Sequence, residues 1–119
     1  MQCLIGSDIG TSGAKSILFR EDGTAVSSAY RAYPVTYPAT GGVEQDPEAW
    51  WQALKETVRE VSRSLEAGER VAALCLATQG GTLCPVDAAG QALGPAIVWS
   101  DSRCKEQREE LALRVGEEA

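Results

Sequence analysis

Short runs of apolar residues, broken by glycine and proline, fill the first 45 positions, the pattern of strands and turns. Cys3 to Ile9 is an apolar run that carries one carboxylate, Asp8, just ahead of Gly10-Thr11-Ser12-Gly13. Ala14 to Arg20 reads as a second strand, and Glu21-Asp22-Gly23-Thr24 holds the Asp-Gly signal of a tight hairpin. Ala25 to Val35 supplies a third strand before Pro38 and Gly41-Gly42 break it. An antiparallel meander is therefore expected to open the chain.

The period then changes from two to about 3.6. Trp50, Leu54, Val58, Val61 and Leu65 form a single stripe, with Asp46 suited to the N-cap, Pro47 to the first helical position and Gly68 to the stop. Val71 to Ala77 (VAALCLA) is continuously apolar, which predicts a strand covered on both faces, with that helix on one of them. After the polar loop Thr78 to Thr82, short strands are expected at Leu83 to Val86 and at Pro95 to Trp99, separated by the turn Asp87-Ala88-Ala89-Gly90. From Ser102 the pattern is helical and strongly charged, with Leu111 and Val115 as its apolar marks and little to pack against.

Composition narrows the function classes. The 119 residues are 44% hydrophobic and 24% charged, the make-up of one globular domain able to bury a core. Eleven Lys and Arg against 17 Asp and Glu give a net charge of −6, and no segment is basic, so nucleic acid is not an expected partner. The longest uncharged apolar stretch, Val71 to Thr78, is too short to cross a bilayer, and the first residues lack the basic region of a secretory leader. A cytoplasmic protein without membrane partners is expected. Cys3, Cys75, Cys84 and Cys104 contain no CxxC pair, and the chain has no histidine, which removes the usual zinc spacing and His-dependent nucleophilic triads. Cys3 and Cys75 are expected as small apolar residues inside strands.

The most informative chemistry lies at Asp8-Ile9-Gly10-Thr11-Ser12-Gly13-Ala14-Lys15. Gly10 and Gly13 let backbone N–H groups approach a phosphate, Thr11 and Ser12 add hydroxyls, and Lys15 adds a positive charge. Asp8, expected to be buried at the mouth of its strand, is placed to hold Mg²⁺ beside those phosphates. The spacing is neither a Walker A loop nor a GxGxxG fingerprint, because the turn leads into a strand and not a helix. On the residues alone, an ordinary tight hairpin and a phosphate turn fit equally well. The order strand, Asp-x-Gly-Thr turn, strand resembles the nucleotide-binding start of the actin-like ATPase superfamily.

Three later segments agree with one branch of that superfamily. Gly42 to Trp51 (GVEQDPEAWW), Ala77 to Thr82 (ATQGGT) and Pro95 to Arg103 (PAIVWSDSR) stand in the order and at roughly the intervals seen in the FGGY carbohydrate kinases, which the chain resembles from Cys3 to about Leu113. The resemblance implies an α/β fold of ribonuclease H-like type, a mixed sheet of five or six strands with flanking helices. It implies ATP and Mg²⁺ as cofactors, with Gly10, Thr11, Ser12, Gly13 and Lys15 at the nucleotide phosphates and Asp8 at the metal. Gln79, Gly80, Gly81, Trp99 and Asp101 would line a sugar or polyol pocket. By their chemistry alone Gln79 also fits a solvated loop amide, Trp99 a core position, and Asp101 an internal ion pair with Arg103. Where xylulokinases carry Met-His and glycerol kinases Arg-Glu after the glutamine, this chain has Gly80-Gly81, which leaves room for a bulkier ligand or for contacts from another segment.

The resemblance also implies a chain several times longer, with the catalytic Asp beyond residue 119. Residues 1–119 are accordingly expected to be the N-terminal subdomain of a sugar kinase, holding no catalytic residue of their own and inactive alone. A non-catalytic actin-like binding or assembly module and an activator-type ATPase are the rival readings. Apolar surface left without its partner segments is expected to favour self-association, a homodimer being one form.

Overall fold

The computed structural model describes residues 1–116. Strands β1 (Gln2–Ile9), β2 (Gly13–Arg20) and β3 (Ala25–Ala32) form the expected antiparallel meander. The β2–β3 turn follows its sequence signal: Gly23 takes φ +86°, and the Asp22 carboxylate accepts from the Thr24 N–H at 2.9 Å. β3 ends at Ala32 rather than Val35, because Pro34 has no N–H to continue the ladder. Next come the two-residue strand β4 (Glu44–Gln45) and helix α1 (Pro47–Ser62), whose N-cap Asp46 accepts from the Glu48 N–H at 3.0 Å. The helix stops six residues before Gly68, which instead turns the chain, at φ +86°, into β5 (Arg70–Thr78).

The main sheet has the order β3-β2-β1-β5, with β5 parallel to β1, so it is mixed. It holds four strands rather than five or six. β4 and β6 (Ala96–Ile97) pair as a separate two-stranded ribbon. The strand expected at Leu83 to Val86 is reduced to isolated bridges, Leu83 to Ile97 and Val86 to Ala92, since Pro85 interrupts any ladder there. Helix α2 (Lys105–Val115) buries none of its residues, as its charged pattern implied.

Alternation along the strands divides the sheet into two unlike faces. Cys3 and Ile5 of β1, Leu18 of β2 and Ala29 of β3 pack with Val61 of α1 into the core, flanked by Val26, Val58 and Leu65. Between these apolar layers runs a chain of buried hydroxyls. Ser7 and Ser16 are 2.7 Å apart, Ser16 and Thr57 2.8 Å, and Thr57 donates onward to the Leu54 carbonyl. Each hydroxyl thus has a partner, which removes the cost of burying it. The other face, with Leu4, Asp8, Lys15, Ile17 and Phe19, is covered by no element among the described residues.

The expectation that β5 is covered on both faces does not hold. All nine of its residues are exposed, Leu74 and Leu76 by 44% and 47%, because α1 lies across β2 and β3 and does not reach the β5 edge. Cys75 is exposed with it, whereas Cys3 is buried as expected. Asp8 is likewise exposed, on the open face and directly across from Lys15. Among the described residues no helix is long and apolar enough to cross a membrane.

Candidate functional site

The turn between β1 and β2 is built from both sides of the sheet. The Gly10 N–H donates to the Gly13 carbonyl at 3.0 Å, closing the hairpin, so this N–H is not available to a ligand. All three carbonyls of residues 10 to 12 accept from side chains. The Tyr33 hydroxyl donates to the Gly10 carbonyl, the Gln45 amide to the Thr11 carbonyl at 2.6 Å, and the Tyr30 hydroxyl to the Ser12 carbonyl at 3.0 Å. In a planar trans peptide the C=O of one residue and the N–H of the next point in opposite directions. Holding the Gly10 and Thr11 carbonyls therefore aims the Thr11 and Ser12 N–H groups the other way, and no acceptor among the described residues takes either one. Two adjacent N–H groups without an acceptor offer the kind of donors an anion-binding nest uses.

The charged groups fit that reading. Lys15 is exposed and forms no ion pair among the described residues, and the same holds for Asp8, its cross-strand neighbour. Both border a shallow hollow of about 280 Å³ floored by Gly6, Ile17, Phe19, Cys75 and Ala77. The Ser12 hydroxyl is exposed and makes no side-chain bond among the described residues. Burial, together with the nearby Asp8 charge, pushes the Tyr33 hydroxyl up to about 12. It therefore stays a donor to Gly10 throughout the neutral range.

Thr11 faces a different group. Its hydroxyl donates to Gln79 Oε1 at 3.1 Å and accepts from Trp99 Nε1 at 3.1 Å. Gln79 is anchored at the end of β5 by its own N–H to the Ile9 carbonyl, and its Nε2 donates to Gln45 Oε1 at 3.0 Å. Gln79 and Trp99 are thus brought together with the turn, Trp99 being 61% exposed. Gly81, at φ +69°, passes close enough that an added Cβ would meet the Trp99 Cβ at 3.4 Å, while nothing lies within 4 Å of a Cβ at Gly80.

Asp101 has the internal role. Its carboxylate accepts from the Val43 N–H at 2.8 Å, from the Arg103 N–H at 2.9 Å and from the Arg103 guanidinium, which also reaches Glu44 at 2.8 Å. The bonds from Arg103, then the Val43 N–H, hold the Asp101 carboxyl at about 2. Of its two sequence readings, the ion pair is the one formed, and it fixes the segment that carries Trp99 against β4. Because the folded pKa lies below the ordinary value of about 3.9, this brace supports the fold above that pH and is lost as pH falls through about 2. The variant Arg103→Met is expected to move the Asp101 titration up toward the ordinary carboxylate range, as read by carbon NMR of the carboxyl group.

Three positions that sequence reasoning left unassigned hold the turn in this geometry: Gln45, Tyr30 and Tyr33. Tyr30 and Tyr33 differ by an odd number, which puts them on opposite faces of an extended chain, and both hydroxyls reach the turn from those two sides. Gln45 carried one weak signal, a polar residue immediately before a helix N-cap in an otherwise acidic segment. A second hollow, about 830 Å³ between β4, the start of α1 and residues 84–95, is lined by neither Lys15 nor Gln79, and Glu44 and Glu48 in its wall are engaged within the chain, with Arg103 and Gln52.

A family model described as "FGGY family of carbohydrate kinases, N-terminal domain" matches residues 3–119. A glycerol kinase of Gloeobacter violaceus is 41% identical over 101 residues, covering 84% of this chain and 20% of the relative. A xylulose kinase of Escherichia coli is 40% identical over 113 residues, covering 93% of this chain and 23% of the relative. The crystal structure of xylulose kinase from Rhodospirillum rubrum superposes with a TM-score of 0.89 at 32% identity, over 95% of this chain and 23% of that one. The chain thus spans between a fifth and a quarter of the length of these relatives.

Proposed function

Since the chain belongs to the FGGY family of carbohydrate kinases, we propose that it is the N-terminal part of a longer kinase that moves a phosphoryl group from ATP to a hydroxyl of a sugar or polyol. The observation that carries the reading is the double role of Thr11: its peptide N–H joins the phosphate nest, while its hydroxyl joins Gln79 and Trp99 on the substrate side. One short turn thereby places a phosphate cradle beside a wall suited to a hydroxylated ligand, the proximity that phosphoryl transfer needs.

In this reading the Thr11 and Ser12 N–H groups, the Ser12 hydroxyl and Lys15 take the ATP phosphates. Asp8, which forms no ion pair among the described residues, supports Mg²⁺, whose chemistry is to neutralise phosphate charge. Gln79 keeps one amide N–H and an acceptor lone pair for a sugar hydroxyl, and Trp99 offers a ring face. Asp101 works from behind, holding the Trp99 segment in place. Gly80 and Gly81 contribute no side chain, so discrimination among pentuloses, polyols and larger sugars rests on parts of the kinase beyond residue 119. The carboxylate that accepts the substrate proton is placed there too.

The test is steady-state kinetics on the intact kinase that contains this segment. Gln79→Ala is expected to raise the sugar KM roughly tenfold or more, the loss of one or two hydrogen bonds, with the ATP KM moved by a clearly smaller factor. Lys15→Met is expected to show the reverse pattern. Equal changes in both constants for both variants would reject the division of the turn into a nucleotide side and a sugar side.

A further inference from the structure

We propose that Gln45 is a positioning residue that couples sugar binding to the phosphate nest; the inference rests on the kinase reading above. Gln45 is 1% exposed, yet its side chain makes three hydrogen bonds, each to a different part of the site. Nε2 donates to the Thr11 carbonyl at 2.6 Å. Oε1 accepts from Trp50 Nε1 at 3.2 Å and from Gln79 Nε2 at 3.0 Å.

The partners dictate the orientation of both amides. A carbonyl can only accept and an indole N–H can only donate, so Gln45 has one allowed amide placement. With Gln45 Oε1 as an acceptor, Gln79 must turn its Nε2 toward it, which leaves Gln79 Oε1 to accept from the Thr11 hydroxyl. That hydroxyl in turn accepts from Trp99. The result is a continuous line of donors, from Trp99 through Thr11 and Gln79 to Gln45, and bonds in such a line polarise one another.

The coupling follows from the peptide between Thr11 and Ser12. Gln45 holds the carbonyl of that peptide, and the Ser12 N–H at its other end belongs to the phosphate nest. A sugar hydroxyl bonded to Gln79 alters the bond from Gln79 to Gln45, and Gln45 passes the change to the Thr11 carbonyl. Occupancy of the sugar wall thereby sets the direction of a phosphate donor. Nothing else among the described residues bonds both to Gln79 and to the turn backbone through one side chain.

The experiment measures, in the intact kinase, the affinity for a non-hydrolysable ATP analogue with and without saturating sugar, alongside both KM values. The natural enzyme is expected to bind the analogue at least fivefold differently in the two conditions. Gln45→Met, similar in size but without either hydrogen-bonding group, is expected to bring that ratio to about one and to raise the sugar KM at least fivefold. Trp50→Phe, which removes a single donor from Gln45 and keeps the ring, is expected to reduce the ratio by about half, and it decides the matter if Gln45→Met does not fold. A natural enzyme with no coupling, or a Gln45→Met or Trp50→Phe enzyme with the natural ratio, overturns the proposal. If Gln79→Ala leaves the sugar KM unchanged, the substrate wall itself is misassigned; if it raises that KM while Gln45→Met keeps the coupling, only the role of Gln45 falls.

Discussion

Gly13→Val is expected to destabilise the fold by about 2–3 kcal/mol, as overpacking at a closed site does. The cause is steric rather than conformational, because Gly13 does not adopt a positive φ. A Cβ at Gly13 would stand 2.5 Å from the Arg31 carbonyl oxygen and against the Tyr30 hydroxyl, where the end of β3 pairs with the start of β2. The tyrosine can swing away, but the Arg31 carbonyl belongs to a paired strand and cannot move without opening the ladder. Urea unfolding of the chain should show the lower midpoint. Adding Tyr30→Phe to the variant is expected to restore less than half of the loss, since the backbone oxygen remains. A loss under about 0.5 kcal/mol, the range of neutral surface changes, would show that the two strands are not held this closely. Displacing Tyr30 also frees the Ser12 carbonyl, so weaker phosphate binding should accompany the change.

Leu18→Ala is expected to cost about 3–4 kcal/mol, against a total of roughly 5–15 kcal/mol for an ordinary domain. Leu18 is fully buried, and its cluster holds only four other buried residues, Cys3, Ile5, Ala29 and Val61. Such a small cluster, under a single helix, has little with which to refill the space. Ile17, one position earlier, points to the open face and is partly exposed, and Ile17→Ala is expected to cost about 1 kcal/mol or less. The pair is a sharp check, since the two residues differ chiefly in which side of one strand they occupy. Equal losses in thermal or urea unfolding would mean that the helix does not select one face.

Much of the local structure was legible in the residues themselves. The Asp22-Gly23 turn, the Asp46-Pro47 helix start and the stripe from Trp50 to Val61 are set by interactions within a few positions and formed as read, while Leu65 packs on the core from beyond the helix end at Ser62. The largest departure falls where a distant element decides. The apolar run at Val71 to Ala77 carries no information on whether a helix will reach it, and α1 packs two strands away. Its composition is that of a strand buried on both faces, but at the edge of this sheet it is exposed.

The site divides in the same way. Gly10 to Lys15, Gln79 and Trp99 could be picked out one by one, because their chemistry is local to each residue and the family resemblance marks their positions. Which of them act together could not. Thr11 looked like one more phosphate hydroxyl, and only the approach of β5 and of the segment after β6 gives its hydroxyl to Gln79 and Trp99. Gln45, 34 residues from both Thr11 and Gln79, becomes the link between them for the same reason. The sequence by itself determined the meander, the start of the helix and the glycine-bearing turn between β1 and β2, since short-range sterics and hydrogen bonding suffice for these. The tertiary structure alone decided which face of the sheet stays open, which carbonyls of the turn are held, and therefore which N–H groups are free to bind, because each depends on side chains brought together across the fold.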